Sequence, residues 1–247
     1  MNKKEWNDFN DCRCRFKQFV EETGAKNPQI KQLQNKLIAA RDGPKYEIVY
    51  PVVYNTALDD VKQNDDIKLI LVGDNPGRRE QESGRYLVGP SGKIAENFFR
   101  NNPELGIDFR KNVIILNKTP IHTPRTIELK ELKYPKNGTE KNMEKIICDT
   151  QIFMADMLCG FFKAAKADIW IIGYSEMKAN GVFSIYTERL KALIANNEIE
   201  KQEVFIFRHF SMNQFTIDLK KQILPQEAIT AALKRIGGTY RKKTLGL

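Results

Sequence analysis

No stretch of the sequence approaches the ~20 consecutive apolar residues that a helix needs to span a bilayer. The opening Met1-Asn2-Lys3-Lys4-Glu5-Trp6 leads into no secretory core. Both absences predict a soluble, cytoplasmic chain. Cysteine is sparse, with Cys12, Cys14, Cys148 and Cys159. A cytosolic setting disfavours a disulfide framework, and neither the Cys-x-Cys pair nor the distant second pair has zinc-ribbon spacing. Four reduced thiols with packing roles are expected, and no metal. Histidine is scarcer still, with two in 247 residues, His122 and His209. Acidic residues fall short of basic ones, 31 against 40, which leaves a net charge of +9. That balance favours a polyanionic partner, with nucleic acid the leading class.

What is present is ordinary for a globular chain that buries a sizeable core: 41% hydrophobic and 29% charged residues. Four short apolar runs recur, at 67–72, 113–116, 169–172 and 204–207. Helical patterns separate them. Ile94, Phe98 and Phe99 suit a helix begun near Ser91; Met143, Ile147, Phe153, Met157 and Phe161 suit a long one; Tyr186, Leu190, Leu193 and Ile194 suit a third. Alternating strands and helices imply a three-layer α/β/α sandwich around a central, mainly parallel, four-stranded twisted sheet.

Upstream, Trp6, Phe9, Phe16, Phe19 and Val20 predict one helix, and Asn27-Pro28 predicts the N-cap and first turn of another that Gly43-Pro44 stops. Residues 46–53 look strand-like but are interrupted by Pro51, which suggests an edge strand or an extended approach to the sheet. A last helix is predicted over 226–236, ended by Gly237-Gly238 and followed by a basic tail, Tyr240-Arg241-Lys242-Lys243. The expected organisation is one monomeric domain: a helical segment over 1–44, a core over 46–215, and a C-terminal helix and tail over 216–247.

The chemistry-bearing residues sit where strands stop. The first run breaks into Gly73-Asp74-Asn75-Pro76-Gly77, the second ends at Asn117, and His209 follows the fourth. Crossover connections bring all the carboxyl ends of parallel strands to one edge of a sheet, where ligands bind. Two carboxamides, a carboxylate and an imidazole in one crevice make a site hypothesis. A phosphate loop at Gly89-Pro90-Ser91-Gly92-Lys93 is excluded, because Leu87 and Ile94 stand where that motif needs Gly and Ser or Thr.

In this arrangement the motifs resemble those of the uracil-DNA glycosylase superfamily. Gly73-Asp74-Asn75-Pro76-Gly77 is similar to its first catalytic motif in the Gly-x-Asn-Pro-Gly form of the mismatch-specific and single-strand-selective monofunctional branches. The segment 84–92 (GRYLVGPSG) resembles the loop that stacks on the flipped base, with Leu87 where an aromatic is usual and Tyr86 beside it. Asn117-Lys118-Thr119-Pro120 resembles the base-reading motif, 168–173 (DIWIIG) the third strand, and His209-Phe210-Ser211 the opening of the minor-groove loop. Likeness to the iron–sulfur branch stops at the ligands: Ile121 stands at one ligand position and Cys-x-Cys replaces Cys-x-x-Cys. No cofactor is therefore expected.

The resemblance implies a monofunctional glycosylase that removes uracil, or a related deaminated base, from DNA during base excision repair. Asn117 would read the base, with Leu87, Tyr86, Gly73, Pro76 and Gly77 around it. His209 would stabilise the departing base, and Asn75 would position water, with Asp74 as its rival. Phe210, Ser211, Met212 and Asn213 would enter the duplex, and Arg78, Lys93, Lys118 and Arg208 would meet phosphates. A non-catalytic nucleic-acid-binding relative using the same crevice is the alternative.

Overall fold

In the computed structural model, residues 1–135 and 142–247 are described. Four strands, β1 (Leu69–Gly73), β2 (Val113–Asn117), β3 (Asp168–Ile172) and β4 (Val204–Phe207), form one all-parallel sheet in the order β2-β1-β3-β4. The register pairs Leu69 with Val113 and Asp168, and Ile169 with Val204. Every strand residue but Asp168 is buried, as expected of a parallel sheet covered on both faces. The chain is thus an α/β protein with helices flanking a parallel sheet.

The helix α1 (Lys3–Lys26) begins with a reciprocal cap: the Asn2 side chain accepts from the Glu5 N–H at 2.9 Å, and Glu5 accepts from the Asn2 N–H at 2.8 Å. Its apolar face, Phe9, Phe16 and Val20, packs on the long helix α6 (Met143–Ala165) through Phe9–Phe161 and Phe16–Phe153 ring contacts. The opposite layer is aromatic. Phe99 of α4 (Pro90–Arg100) stacks on Trp170 of the sheet, Phe215 of α8 (Gln214–Gln222) meets Trp170 and Phe207, and Phe98 of α4 packs edge-on against Phe215. The remaining helices are α2 (Gln29–Ala40), α3 (Arg78–Ser83), α5 (Leu129–Lys133), α7 (Ser184–Ala195) and α9 (Ile229–Leu245).

Three local expectations fail for identifiable reasons. Asn27 does not cap α2; its side chain donates back to the Thr23 carbonyl at 2.9 Å and so closes α1. Of the two readings of residues 46–53 the edge strand fails and the extended approach holds: only Val52 bridges, antiparallel, to Ile121. Gln81 takes over instead, accepting from the Val49 N–H at 2.7 Å. Helix α9 runs straight through Gly237-Gly238. Gly237 is there because the helix lies close on β4: a Cβ at this position would come within 2.7 Å of both Phe205 and Phe207. The basic tail is consequently helical, with Arg241 buried and bonded to the Val204 carbonyl at 3.0 Å.

Candidate active site

All four strands point the same way, so their carboxyl ends share one edge of the sheet. There Asp74, Asn75, Asn117, Gly173 and His209 line one cavity of about 740 Å³. The loop 84–92 and the segment 123–126 supply its walls.

The edge is held together by Lys118, whose side chain is completely buried. Its ammonium bonds Asp74 Oδ1 and the Ile172 carbonyl, each at 2.6 Å, and the Gly73 carbonyl at 3.3 Å, with the Phe183 ring 5.0 Å away. One lysine thereby ties together the ends of β1, β2 and β3. Burial lowers its pKa, and the Asp74 carboxylate opposes that shift. The expected phosphate contact is wrong for this residue: a buried, fully bonded ammonium cannot reach DNA. Asp74 lies flat against Gly173, where any Cβ would collide with Oδ1. Among the described residues no donor reaches its second oxygen, Oδ2.

Asn75 is gripped on both sides. Thr123 Oγ1 donates to the Arg125 carbonyl at 2.9 Å, so it must accept from Asn75 Nδ2, at 2.8 Å. The Thr126 hydroxyl donates to Asn75 Oδ1 at 3.0 Å. These bonds decide which way the carboxamide faces. Asn117 is the opposite case. It is 3% exposed, yet its carboxamide has no protein hydrogen-bond partner among the described residues and faces the cavity. Gly73 makes room for it, because a Cβ there would run into Asn117 Oδ1.

The Ser211 N–H donates to His209 Nδ1 at 3.0 Å. The neutral ring must therefore carry its proton on Nε2 and can present an N–H to the cavity. Burial lowers the His209 pKa, and Lys118 adds to this while Asp74 opposes it, so the imidazole is neutral at pH 7. The other histidine, His122, is fully buried outside the cavity. Its Nδ1 meets the Pro76 carbonyl at 2.8 Å and its Nε2 the Tyr46 hydroxyl at 3.0 Å, which buttresses the 73–77 turn.

Several remaining site expectations are redistributed by packing. Leu87 lines the cavity, but Tyr86 turns the other way into a neighbouring cavity of about 590 Å³, its hydroxyl donating to the Val53 carbonyl at 2.6 Å. It cannot stand in for Leu87. Phe210 is fully buried, stacked 4.4 Å from Phe215, and so cannot enter a duplex. Met212 is 79% exposed at the cavity rim, with Ser211 beside it and Asn213 following. Gly77 and Arg78 line the cavity, and Pro76 stands behind it as the His122 acceptor. Lys93 is exposed on α4 but does not line the cavity. Nor does Arg208, which pairs with Asp218 at 3.2 Å.

Sequence reasoning missed Glu80, Thr123, Thr126, Ser175 and Glu176, all of which line the cavity. The strand-end rule itself could have found Ser175 and Glu176, which follow β3. Glu80 gives no such signal: it is a buried carboxylate whose pKa burial raises and the amides of Gly77 and Leu87 pull back. Among the described residues no group of three or more His, Cys, Asp or Glu could hold a metal ion. No helix among them is long and apolar enough to cross a membrane.

The fold and site define an α/β protein with a polar crevice at the strand ends. Residues 62–155 match the sequence model of the Uracil DNA glycosylase superfamily. The match takes in Asp74, Asn75, Leu87 and Asn117 and stops before β3, β4 and His209. The likeness covers fewer than half of the residues and is consistent with a function of the DNA glycosylase type and with DNA as a partner. No curated protein matches the chain.

Proposed function

We propose that the protein removes uracil, or a closely related deaminated base, from DNA by hydrolysing the N-glycosidic bond of an everted nucleotide in base excision repair. The observation that carries this reading is Asn117: on a residue otherwise packed away, the carboxamide has no protein partner among the described residues and opens onto the cavity, where both its C=O and its NH2 are free to pair with a ligand. Its C=O would accept from N3–H of uracil and its NH2 would donate to O4. Cytosine reverses both roles and would leave buried groups unpaired.

As the C1′–N1 bond breaks, its electron pair moves onto the base and charge gathers at O2. The Nε2–H of neutral His209 would meet that oxygen, the role of a neutral electrophile. Water adds at C1′ and gives up a proton that ends on the departing base anion, leaving an abasic sugar and a neutral base. Asn75, spanned by Thr123 and Thr126, has less freedom to hold this water than the unbonded Oδ2 of Asp74. We therefore assign the water and the oxocarbenium-like sugar to Asp74, with Asn75 shaping the turn beneath. The Gly-x-Asn-Pro-Gly form of 73–77 associates the chain with the mismatch-specific and single-strand-selective branches. Exposed Met212 is the wedge that would fill the space the base leaves.

The test is an incubation with oligonucleotides carrying a single uracil, hypoxanthine or xanthine, followed by alkaline cleavage of abasic sites. Breaks at one of these bases are expected. They should fall about 100-fold or more in His209→Ala, as for loss of an anion-stabilising donor, and also in Asn117→Ala and Asp74→Ala. Tight lesion binding without breaks would make the crevice a sensor rather than an active site.

A further inference from the structure

Leu87 stands in a backbone conformation that its side chain disfavours. Its φ is +49°, in the left-handed region that non-glycine residues with branched chains rarely occupy. Such conformations persist when the surroundings over-determine them, and they cluster at ligand sites. Here the surroundings are specific. On the carbonyl side, Arg110 Nη2 donates to Leu87 O at 2.9 Å. The same guanidinium is held by Glu96, at 3.1 Å from Nε, and lies 4.7 Å from the Phe109 ring centre. Beneath the carbonyl, Gly92 in the first turn of α4 packs so closely that any Cβ would overlap it. On the amide side is the buried carboxylate of Glu80, which also accepts from the Gly77 N–H.

The result is an alternation that a relaxed strand or turn would not keep. Tyr86 and Val88 face the smaller cavity, along with Arg110 itself, while Leu87 faces the crevice of Asn117 and His209. Arg110 does not line that crevice.

We propose that Arg110 is a positioning residue: from outside the crevice it holds the Leu87 carbonyl, which keeps the Leu87 side chain turned in as the apolar ceiling over the bound base. Resting on the glycosylase reading, this makes Arg110 a determinant of base affinity through Leu87, not of the bond-breaking step. Glu80 and Gly92 complete the clamp from the amide side and from below.

The experiment has two arms so that this inference and the glycosylase reading can fail separately. In the first, amide hydrogen exchange over residues 84–92 is compared in full-length wild type, Arg110→Ala and Arg110→Lys. Faster exchange in the alanine variant, reversed at least in part by lysine, is expected. Unchanged exchange overturns the clamp whether or not the protein removes any base. In the second, steady-state kinetics on the oligonucleotide that wild type cleaves best are run as a double-mutant cycle with Leu87→Gly. Arg110→Ala should raise KM about 10-fold with kcat changed less than about 2-fold, the scale of losing apolar contact in a pocket. In the Leu87→Gly background the same change should have almost no effect. An equal loss in both backgrounds means Arg110 acts without Leu87 and sinks the inference. If wild type cleaves nothing, the glycosylase reading falls alone, and the exchange arm decides the clamp.

Discussion

Lys118 is the residue on which the strand ends converge, and it shows how far a side chain's type can mislead about its place. A lysine beside a base-reading Asn reads as a phosphate contact, yet this one is buried with a carboxylate and two carbonyls around it. Removing one partner of a buried pair leaves the other charge without compensation. Lys118→Met should therefore cost ~3–5 kcal/mol, read as a lowered urea midpoint. Lys118→Met with Asp74→Asn should recover part of that loss, because no lone charge remains. His122 makes a pH prediction. Burial pushes its pKa down to about 4, from an ordinary value of 6.5. Between these values the unfolded chain binds a proton that the folded chain does not. The His122 contribution is complete above about pH 6.5 and is lost as pH falls toward about 4. His209 shifts in the same direction, so the two must be separated: the drop in the urea midpoint between pH 7 and pH 5 should shrink in His122→Gln.

At the scale of elements, the adjacent glycines of α9 offer a contrast that sequence alone cannot draw. Both sit inside a helix, where glycine costs roughly 0.5–1 kcal/mol relative to alanine. A Cβ added at Gly238 would meet nothing within 4 Å, whereas Gly237 abuts Phe205 and Phe207 of β4. Gly238→Ala should raise the thermal midpoint, a gain of about 0.5–1 kcal/mol. Gly237→Ala should lower it, since overpacking typically costs ~1–3 kcal/mol. Opposite shifts from neighbouring identical substitutions would establish the close helix–strand approach; equal shifts would refute it. The same logic explains Asn27 and residues 46–53, whose local signals favoured a cap and a strand. A carbonyl at the end of α1 claimed the Asn27 amide, and the Gln81 side chain claimed a backbone donor that a strand would have used.

For the whole molecule, the net charge of +9 sets an expectation for DNA binding that does not depend on any single contact. Arg78, Arg79 and Arg125 line the crevice wall, Arg78 paired with Glu82 and Arg125 with Glu128 at its edge, while Lys118 is buried and Arg208, paired with Asp218, lies outside the crevice. Affinity for an oligonucleotide should fall linearly in log–log form with salt. Arg125→Ala should lower the slope by about 1, and Lys118→Met should leave it unchanged. A slope that does not respond to Arg125 would remove it from the phosphate contacts.

The parallel sheet and the convergence of Asp74, Asn75, Asn117 and His209 were legible because both follow from pattern: buried apolar runs joined by helices can only bring their carboxyl ends to one edge. Which of those groups remain free for a ligand was not legible. That depends on the partners folding delivers from far along the chain. Thr126 occupies Asn75, Lys118 occupies one oxygen of Asp74, and the Ser211 amide fixes the tautomer of His209, while Asn117 is left open. Residue order determined what could meet at the strand ends; three-dimensional packing decided which polar atoms there were already satisfied, because hydrogen bonding is settled by proximity in space.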